Sequence, residues 1–535
     1  MRNRICMTAF AVAVVIAVVP ARADIFQWEY INPADPSQGK RQSTTLAPDG
    51  AGVDAMPYAV LAHRNLTMAY LIGADLTGAN AVLANLTHAD LSRASLSNVE
   101  FHSANLTGTN FPEANLTNAR FGAADLTGAN FRRANLANAD FMGESSVLCE
   151  AYFCPPFPAT LTDADFTDAD VRGAKLGYTG ITLAQLYSTA SYQAHDLSGI
   201  SLMYNNLTGA NFVGQNLSNA SFLIATLTNA DFTVAEIRGA NFARSPLCNS
   251  SFVCFISPGG TGITLAQLYT TASYEAHDLT GVQLDWHDLR GANFAGQNLT
   301  NVSFYAATLT DADFTDAQIR GADFRGVSTY FFPYRVYGTG ITLAQLYSTA
   351  SYQEGDVRGV SGLDLSNAIT TNLILPDGHA RGLDLDANAL IVIRDYDGNP
   401  NSFPGNVPIP ITVEQHLVMS PSGTLRLVFD ADPWNSTISF APGIPVALGG
   451  TLELTFADDV NLVNHVGRTF DLFDWTGVNP TGAFAISSPY AWDTSNLYTT
   501  GQVTLTAVPE PGTLALAAIA MSVFMLRQQQ CQYKV

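Results

Sequence analysis

Between residues 59 and 143 the chain repeats every five residues without a gap. The stretch runs AVLAH RNLTM AYLIG ADLTG and onward for 17 units. The third place of each unit, here called i, is Leu or Phe in all but Ala81. The place two before it is Ala in 14 of 17 units, the exceptions being Arg64, Val99 and Thr109. The other places are mostly Asn, Asp, Thr, Ser and Gly. Five fits neither the 3.6-residue period of an α-helix nor the two-residue period of a strand. On a helix, side chains spaced by five precess about 140° per step, so no apolar stripe forms. Positions i and i−2 do share one face of an extended segment. The pattern therefore predicts a short extended piece with two inward side chains, then a corner, repeated until the chain winds into a coil. Stacked coils pair their backbones about 4.8 Å apart, and no coil has a core until its neighbours stack on it.

From Leu96 the i residues alternate: Leu96, Phe101, Leu106, Phe111, Leu116, Phe121, Leu126, Phe131, Leu136, Phe141. On a four-sided coil this puts Phe on two opposite sides, each ring stacked on the ring one coil away. Small Ala at i−2 leaves room for the rings. The pattern resembles the pentapeptide-repeat family, A(D/N)LXX, over roughly 40 units between residues 59 and 359. That resemblance implies an all-β fold: a right-handed quadrilateral β-helix with 20 residues per turn.

The repeat sits inside a longer organisation. Residues 1–23 carry Arg2 and Arg4, an apolar run from Met7 to Val19, and Ala21-Arg22-Ala23. They read as a secretory signal peptide cleaved between Ala23 and Asp24. Residues 24–58 are a lead-in in which Ile25, Phe26, Trp28 and Tyr30 cover the first coil. The repeat occupies 59–178, with a loop at 144–158; looping those residues out whole preserves the Leu/Phe alternation from Phe141 to Leu161. Near copies of GITLAQLYSTASYQAHDL then begin at residues 180, 262 and 340. Each predicts a short helix, with capping boxes at Thr182/Gln185, Thr264/Gln267 and Thr342/Gln345. These helices are a lid or a packing device, and packing is preferred because no acid–base pair lies on them. The first two copies each lead into ten pentapeptides, over 179–258 and 259–336; the third, in 337–362, ends the repeat. Residues 363–507 predict a separate β domain, a sandwich or a short solenoid, with strands at 389–395, 411–419, 424–430, 451–457, 468–475 and 502–507.

The end, 508–535, holds Pro509-Glu510-Pro511, an apolar run from Thr513 to Leu526, and Arg527. It resembles the PEP-CTERM sorting signal, with one Arg in place of the usual basic cluster. The resemblance implies an exosortase-type partner at the inner membrane and a membrane segment that is transient or retained.

Chemistry is sparse. Four cysteines lie in two close pairs, Cys149/Cys154 and Cys248/Cys254, read as disulfides of an exported chain, with a metal site as the alternative. No HExxH, GxSxG, P-loop or CxxC is present, so no catalytic, cofactor or metal residues are assigned. The run TDADFTDAD at 162–170 reads as a solvated face or a weak Ca²⁺ site. His195 and His277, at i−2 of their units, are expected to be partly buried beside their helices.

The net charge of −21 argues against direct nucleic-acid binding. Together these features predict an exported, non-enzymatic structural or interaction protein of the bacterial cell envelope or exterior, with extracellular polysaccharide or envelope proteins as partners. The alternatives are an acidic DNA mimic acting on a topoisomerase, which some proteins of the resembled family are, and a polysaccharide-active β-helix enzyme.

Overall fold

The computed structural model describes residues 24–143, 157–244, 246–248, 254–256, 260–328, 336–386, 388–396, 398, 407–430, 433–457 and 460–508. The signal-peptide residues, Cys149, Cys154, Pro509, Glu510, Pro511 and Arg527 lie outside them. Among the described residues no helix is long and apolar enough to cross a membrane. The chain divides into two compact units between Ala194 and His195, apart from a short stretch at 148–154.

In the first unit, strands β1 (Phe26–Tyr30) and β2 (Lys40–Leu46) form an antiparallel hairpin. It lies against the early coils: Tyr70 N–H donates to Phe26 O, and Trp28 N–H donates to Met68 O. Lys40 Nζ pairs with Asp90 at 2.7 Å and sits over the Trp28 ring. The repeat then winds as a solenoid in which each i−1 residue bridges, in parallel, the residue 20 later, from Val60–Asn80 to Arg120–Asp140. Twenty residues hold four units, so each coil has four sides.

Every place in the unit has its own physical task. Positions i−2 and i are buried almost without exception. The i+3 N–H closes a turn onto the i carbonyl, as from Ala69 to Leu66 at 3.0 Å. Position i+2 has positive φ throughout, for example Met68 at 56°, Gly108 at 62° and Asn118 at 58°; this is the geometry of a type II turn and the reason for the Gly and Asn found there. The i−1 Asn or Asp caps the turn: Asn65 Oδ1 accepts from both the N–H and the hydroxyl of Thr67, at 3.2 and 2.6 Å. Thr127, which the repeat pattern leaves as a plain exterior residue, bonds Asp125 in the same way.

The rings form the expected ladders. Phe101 stacks on Phe121, Phe111 on Phe131 and Phe121 on Phe141, at 5.4, 5.1 and 4.7 Å between centroids. Beyond the loop the bridges jump by 35 residues, as in Asn130–Asp165, and Phe131 stacks on Phe166 at 5.2 Å. Coil geometry thus resumes as though the loop were absent.

Each GITLAQLY copy forms two short helices rather than the single one expected. The first pair is α1 (Leu183–Tyr187) and α2 (Ala190–Gln193). Thr182 and Gln185 make a capping box, and Thr189 caps the second helix by accepting from Tyr192 N–H. The pair replaces two sides of a coil. Gln185 Nε2 donates to Leu161 O and Ala164 O, Ala190 N–H donates to Ala169 O, and Ser191 Oγ accepts from Val171 N–H.

The second unit repeats this plan. A hairpin of β3 (Pro246–Cys248) and β4 (Cys254–Ile256) precedes α3 (Leu265–Leu268) and α4 (Ala272–Glu275). A hairpin of β5 (Val327–Ser328) and β6 (Val336–Tyr337) precedes α5 (Leu343–Ser348) and α6 (Ala350–Gln353). Here the far side of a helix pair is visible too. Tyr269 hydroxyl accepts from Asn293 N–H and Tyr274 hydroxyl donates to Asn293 O, both at 2.8 Å. Two side-chain hydroxyls stand where a strand partner would be.

After the third helix pair the coil becomes three-sided. Its turns run β7 (His379–Ala380), β8 (Leu383–Leu385) and β9 (Leu390–Arg394); β10 (Ile411–Val413), β11 (Leu417–Met419) and β12 (Thr424–Phe429); then β13 (Ile438–Phe440), β14 (Val446–Leu448) and β15 (Thr451–Phe456). Past β16 (Thr469–Asp471) come β17 (Phe473–Asp474), β18 (Thr481–Gly482) and β19 (Ala485–Ser487). Three parallel sheets result: β7-β10-β13-β17, β8-β11-β14-β18 and β9-β12-β15-β19. Of the two folds open from sequence, this is the solenoid. The expected strand 411–419 is broken by a corner at residues 414–416, and 468–475 likewise splits into two strands. Strand β16 pairs with β21 (Gln502–Ala507), which pairs with β20 (Ala491–Asp493), both antiparallel.

Phe121 touches rings on both neighbouring coils, so Phe121→Ala is expected to cost about 3–5 kcal/mol. Exposed Leu83 holds φ at 58°, a conformation Asn tolerates better. Leu83→Asn is therefore expected to leave the melting temperature equal or higher. Thermal unfolding of the two variants checks both signs.

Candidate functional site

The repeat's carboxylates are largely structural. The Thr127 hydroxyl holds the Asp125 carboxyl below its ordinary pKa, and Thr233 does the same for Asp231. In the acidic run, Asp165 caps Thr167, and Asp170 pairs with Arg172 at 2.6 Å while accepting from Ser191. Among the described residues no three His, Cys, Asp or Glu side chains are placed to share a metal ion.

His195 and His277 are exposed rather than partly buried. Each holds φ near 57° as the chain leaves its helix pair, which turns the ring outward. The nearby small buried places are filled by Ser191 and Ser273. Cys248 and Cys254 lie directly opposite each other across the β3–β4 hairpin.

Two polar clusters escaped the linear reading. On one side of the second unit, Asp285, Tyr305 and Arg325 fall 20 residues apart and so stack in one column. Ser303 hydroxyl donates to Asp285, and Arg325 pairs with Asp323 at 2.6 Å and lies over the Tyr305 ring. Trp286 meets Tyr305 edge-on at 6.4 Å. Burial pushes the Asp285 carboxyl up to about 6; the Ser303 hydrogen bond opposes this and the Asp323 charge adds to it. Next in the chain, buried His287 is pushed down to about 4 by burial and stays neutral. Writing the sequence in rows of twenty would have exposed this column.

The second cluster is buried where the four-sided coil meets the three-sided one. Asp356 and Arg358, both fully enclosed, pair at 2.8 Å. Arg358 also donates to Ser436 Oγ at 2.9 Å and to Arg394 O at 2.8 Å, while Arg394 reaches Glu354 at 3.2 Å. Burial works to raise the Asp356 pKa, but the Arg358 guanidinium outweighs it and holds the carboxyl below its usual value. Neighbouring Arg320, also buried, is pushed down to about 10 by burial, and its Nε and Nη1 have no partner among the described residues. Enclosure of this kind fixes a joint rather than receiving a ligand.

The family of pentapeptide repeats matches in eight copies, over residues 58–93, 82–118, 114–143, 196–233, 206–244 and 278–326. Solved structures are matched as well. HetL of the cyanobacterium Nostoc sp. strain PCC 7120, a pentapeptide repeat protein involved in heterocyst differentiation regulation, is 26% identical over 50% of this chain and 87% of its own, with a TM-score of 0.16. Full-length QnrB1, a plasmid-mediated fluoroquinolone resistance protein, is 20% identical over 43% and 92%, with a TM-score of 0.19. A pentapeptide repeat protein of the Arabidopsis thaliana thylakoid lumen is 23% identical over 31% and 71%, with a TM-score of 0.12. At such TM-scores the superpositions carry no argument about this chain. No curated protein matches it in sequence.

Two outcomes follow from the clusters. Removing one partner of the enclosed pair, Asp356→Asn, is expected to destabilise the second unit by about 3–5 kcal/mol, read by denaturant unfolding of the full chain. Asp285 has the opposite sign to Asp125. Its raised pKa means the native state binds more protons than the unfolded one between pH 4 and 6, so its contribution falls as pH rises through that window. Asp285→Asn is therefore expected to gain more in melting temperature at pH 7 than at pH 4.5.

Proposed function

We propose that this chain, whose repeat segments are pentapeptide repeats, is an exported, non-enzymatic scaffold of the bacterial cell envelope or exterior. The coil is read as right-handed. The observation that carries the proposal is how the wall uses its polar groups. Carboxylates cap turns, and hydroxyls and glutamines tie helices to coils. A surface built this way is rigid and suited to holding a partner in place. The amino-terminal signal sequence, with cleavage before Asp24, and the Pro509-Glu510-Pro511 box with its apolar run support export and handling by an exosortase-type enzyme. The two cysteine pairs are proposed as local disulfides of the exported form.

A second reading, an acidic DNA mimic acting on a topoisomerase, is favoured by the net charge of −21. Cellular location separates the two. Fractionation and sequencing of both ends are expected to find the mature protein outside the cytoplasm, beginning at Asp24, with Cys149, Cys154, Cys248 and Cys254 inaccessible to thiol reagents before reduction. An intact chain in the cytosol beginning at Met1, with reactive thiols, would overturn export and leave the mimic standing.

A further inference from the structure

Each helix pair docks on its coil by the same joint, and the first two joints each border a recess. In the first unit a cavity of about 660 Å³ lies between residues 158–165 and 178–185. In the second unit a cavity of about 570 Å³ lies between residues 227–233 and 261–270. One glutamine supports each recess: Gln185 donates to Leu161 O and Ala164 O, Gln267 to Leu227 O and Ala230 O. The third copy makes the same joint, with Gln345 donating to Leu309 O and Ala312 O.

The lining repeats as well. The coil side reads LTDADF at 161–166, LTNADF at 227–232 and LTDADF at 309–314. In many ordinary units the i+1 threonine hydroxyl is tied to an Asn or Asp at i−1, as in Thr67 and Thr127, while Thr300 and Thr315 are held there by the N–H alone. Here the i−1 place is Thr160, Thr226 or Thr308, which cannot cap the turn in that way. Thr162, Thr228 and Thr310 stay exposed, with no side-chain hydrogen bond among the described residues. The fold does not need them, yet all three copies have them.

We infer that the recesses are equivalent saccharide subsites for a linear neutral or amino-sugar polysaccharide. Hydroxyls, carboxylates and carboxamides line them, including Asp165 and Asp231; no Lys or Arg lines either cavity, and the nearest cation to the first is Arg132, paired with Asp165 at 3.6 Å. Such a lining accepts hydrogen bonds from sugar hydroxyls or ammonium groups and repels polyanions. In the second unit the ladder Asn241–Gln283–Ser303–Asp323 sets equivalent points of the second and third joints three coils apart, about 14 Å at the usual strand spacing. The third joint repeats the glutamine contacts and the exposed threonine of the second, so one polymer spanning three coils reaches both joints, and linked sites gain avidity of about 10²–10⁴. This rests on the scaffold reading but is measured on purified protein, so it stands or falls independently of where the cell puts the chain.

The test is equilibrium binding of the full chain to soluble dextran, laminarin, xylan and chitosan, to a trisaccharide of each, and to alginate as the polyanion. At least one neutral or amino-sugar polymer is expected to bind at least tenfold more tightly than its trisaccharide and than alginate. The triple variant Thr162→Trp, Thr228→Trp, Thr310→Trp fills the recesses and is expected to lose at least tenfold with an unchanged melting temperature. Val60→Trp, on the exposed wall of the first coil and away from them, is expected to bind as the unaltered chain does. If the tryptophans disturb folding, Thr→Val at the same three places removes only the hydroxyls and is expected to weaken binding several-fold. Binding to none of the four polymers, preference for alginate, or unchanged binding in the folded triple variant would overturn the inference.

Discussion

A chain that turns a corner every five residues cannot satisfy its own backbone within one coil. Each N–H and C=O on a side must meet the coil before or after it, at the spacing the parallel bridges set. This single requirement disciplines everything else. It fixes the inward pair, because only side chains at i−2 and i point into the bore. It fixes the left-handed residue, because the corner must close in one step. It also fixes the capping Asn or Asp, because the corner's own N–H groups would otherwise lack partners. The five letters of the repeat are five answers to one backbone problem.

The helix pairs show how strictly the requirement holds. An α-helical turn satisfies its interior but offers the neighbouring coil no strand edge. The inserted segments supply substitutes from side chains: Gln267 and Ser273 toward the coil before, Tyr269 and Tyr274 toward the coil after. The third copy does the same, with Tyr347 and Tyr352 meeting the backbone of Ile369. Near identity among the three copies is therefore a consequence of geometry. Tyrosines that would suit a recognition surface are occupied in holding coils together.

What was legible in the sequence was whatever followed from period. The Phe101–Phe141 ladder and a loop that costs no coil come from counting in fives, while the four sides came with the resemblance to the pentapeptide-repeat family and not from the spacing. What was hidden depended on conformation or on contact across coils. Position i+2 reads as polar filler until its positive φ is known, since Leu83, Glu113 and Arg133 occupy it as readily as Gly. Thr189 repeats the capping role of Thr182 too soon for a one-helix reading. The three-sided region kept its secret for a different reason. Its ladder partners lie 33, 27 and 35 residues apart, as in His379–Thr412, Ile411–Ile438 and Ile438–Phe473, so no fixed period survives.

The junction between the two coil types shows how a surface motif becomes an interior one. A carboxylate at i−1 with arginine at i+1 forms an ion pair at Asp170/Arg172, Glu236/Arg238 and Asp323/Arg325, as also at Asp288/Arg290, and a further one at Asp356/Arg358. All but the last are partly or largely open to solvent, where such pairs contribute little. The Asp356/Arg358 pair is covered by the three-sided coil, whose Arg394, Ile409 and Ser436 offer oxygens to the same guanidinium. An enclosed pair gains little over apolar packing in energy, but its five donors accept only one arrangement of neighbours. A change from four sides to three needs such a fixed register, because apolar side chains alone would tolerate sliding by a residue or more. The repeat motif already carried the pair, and the next domain had only to close over it.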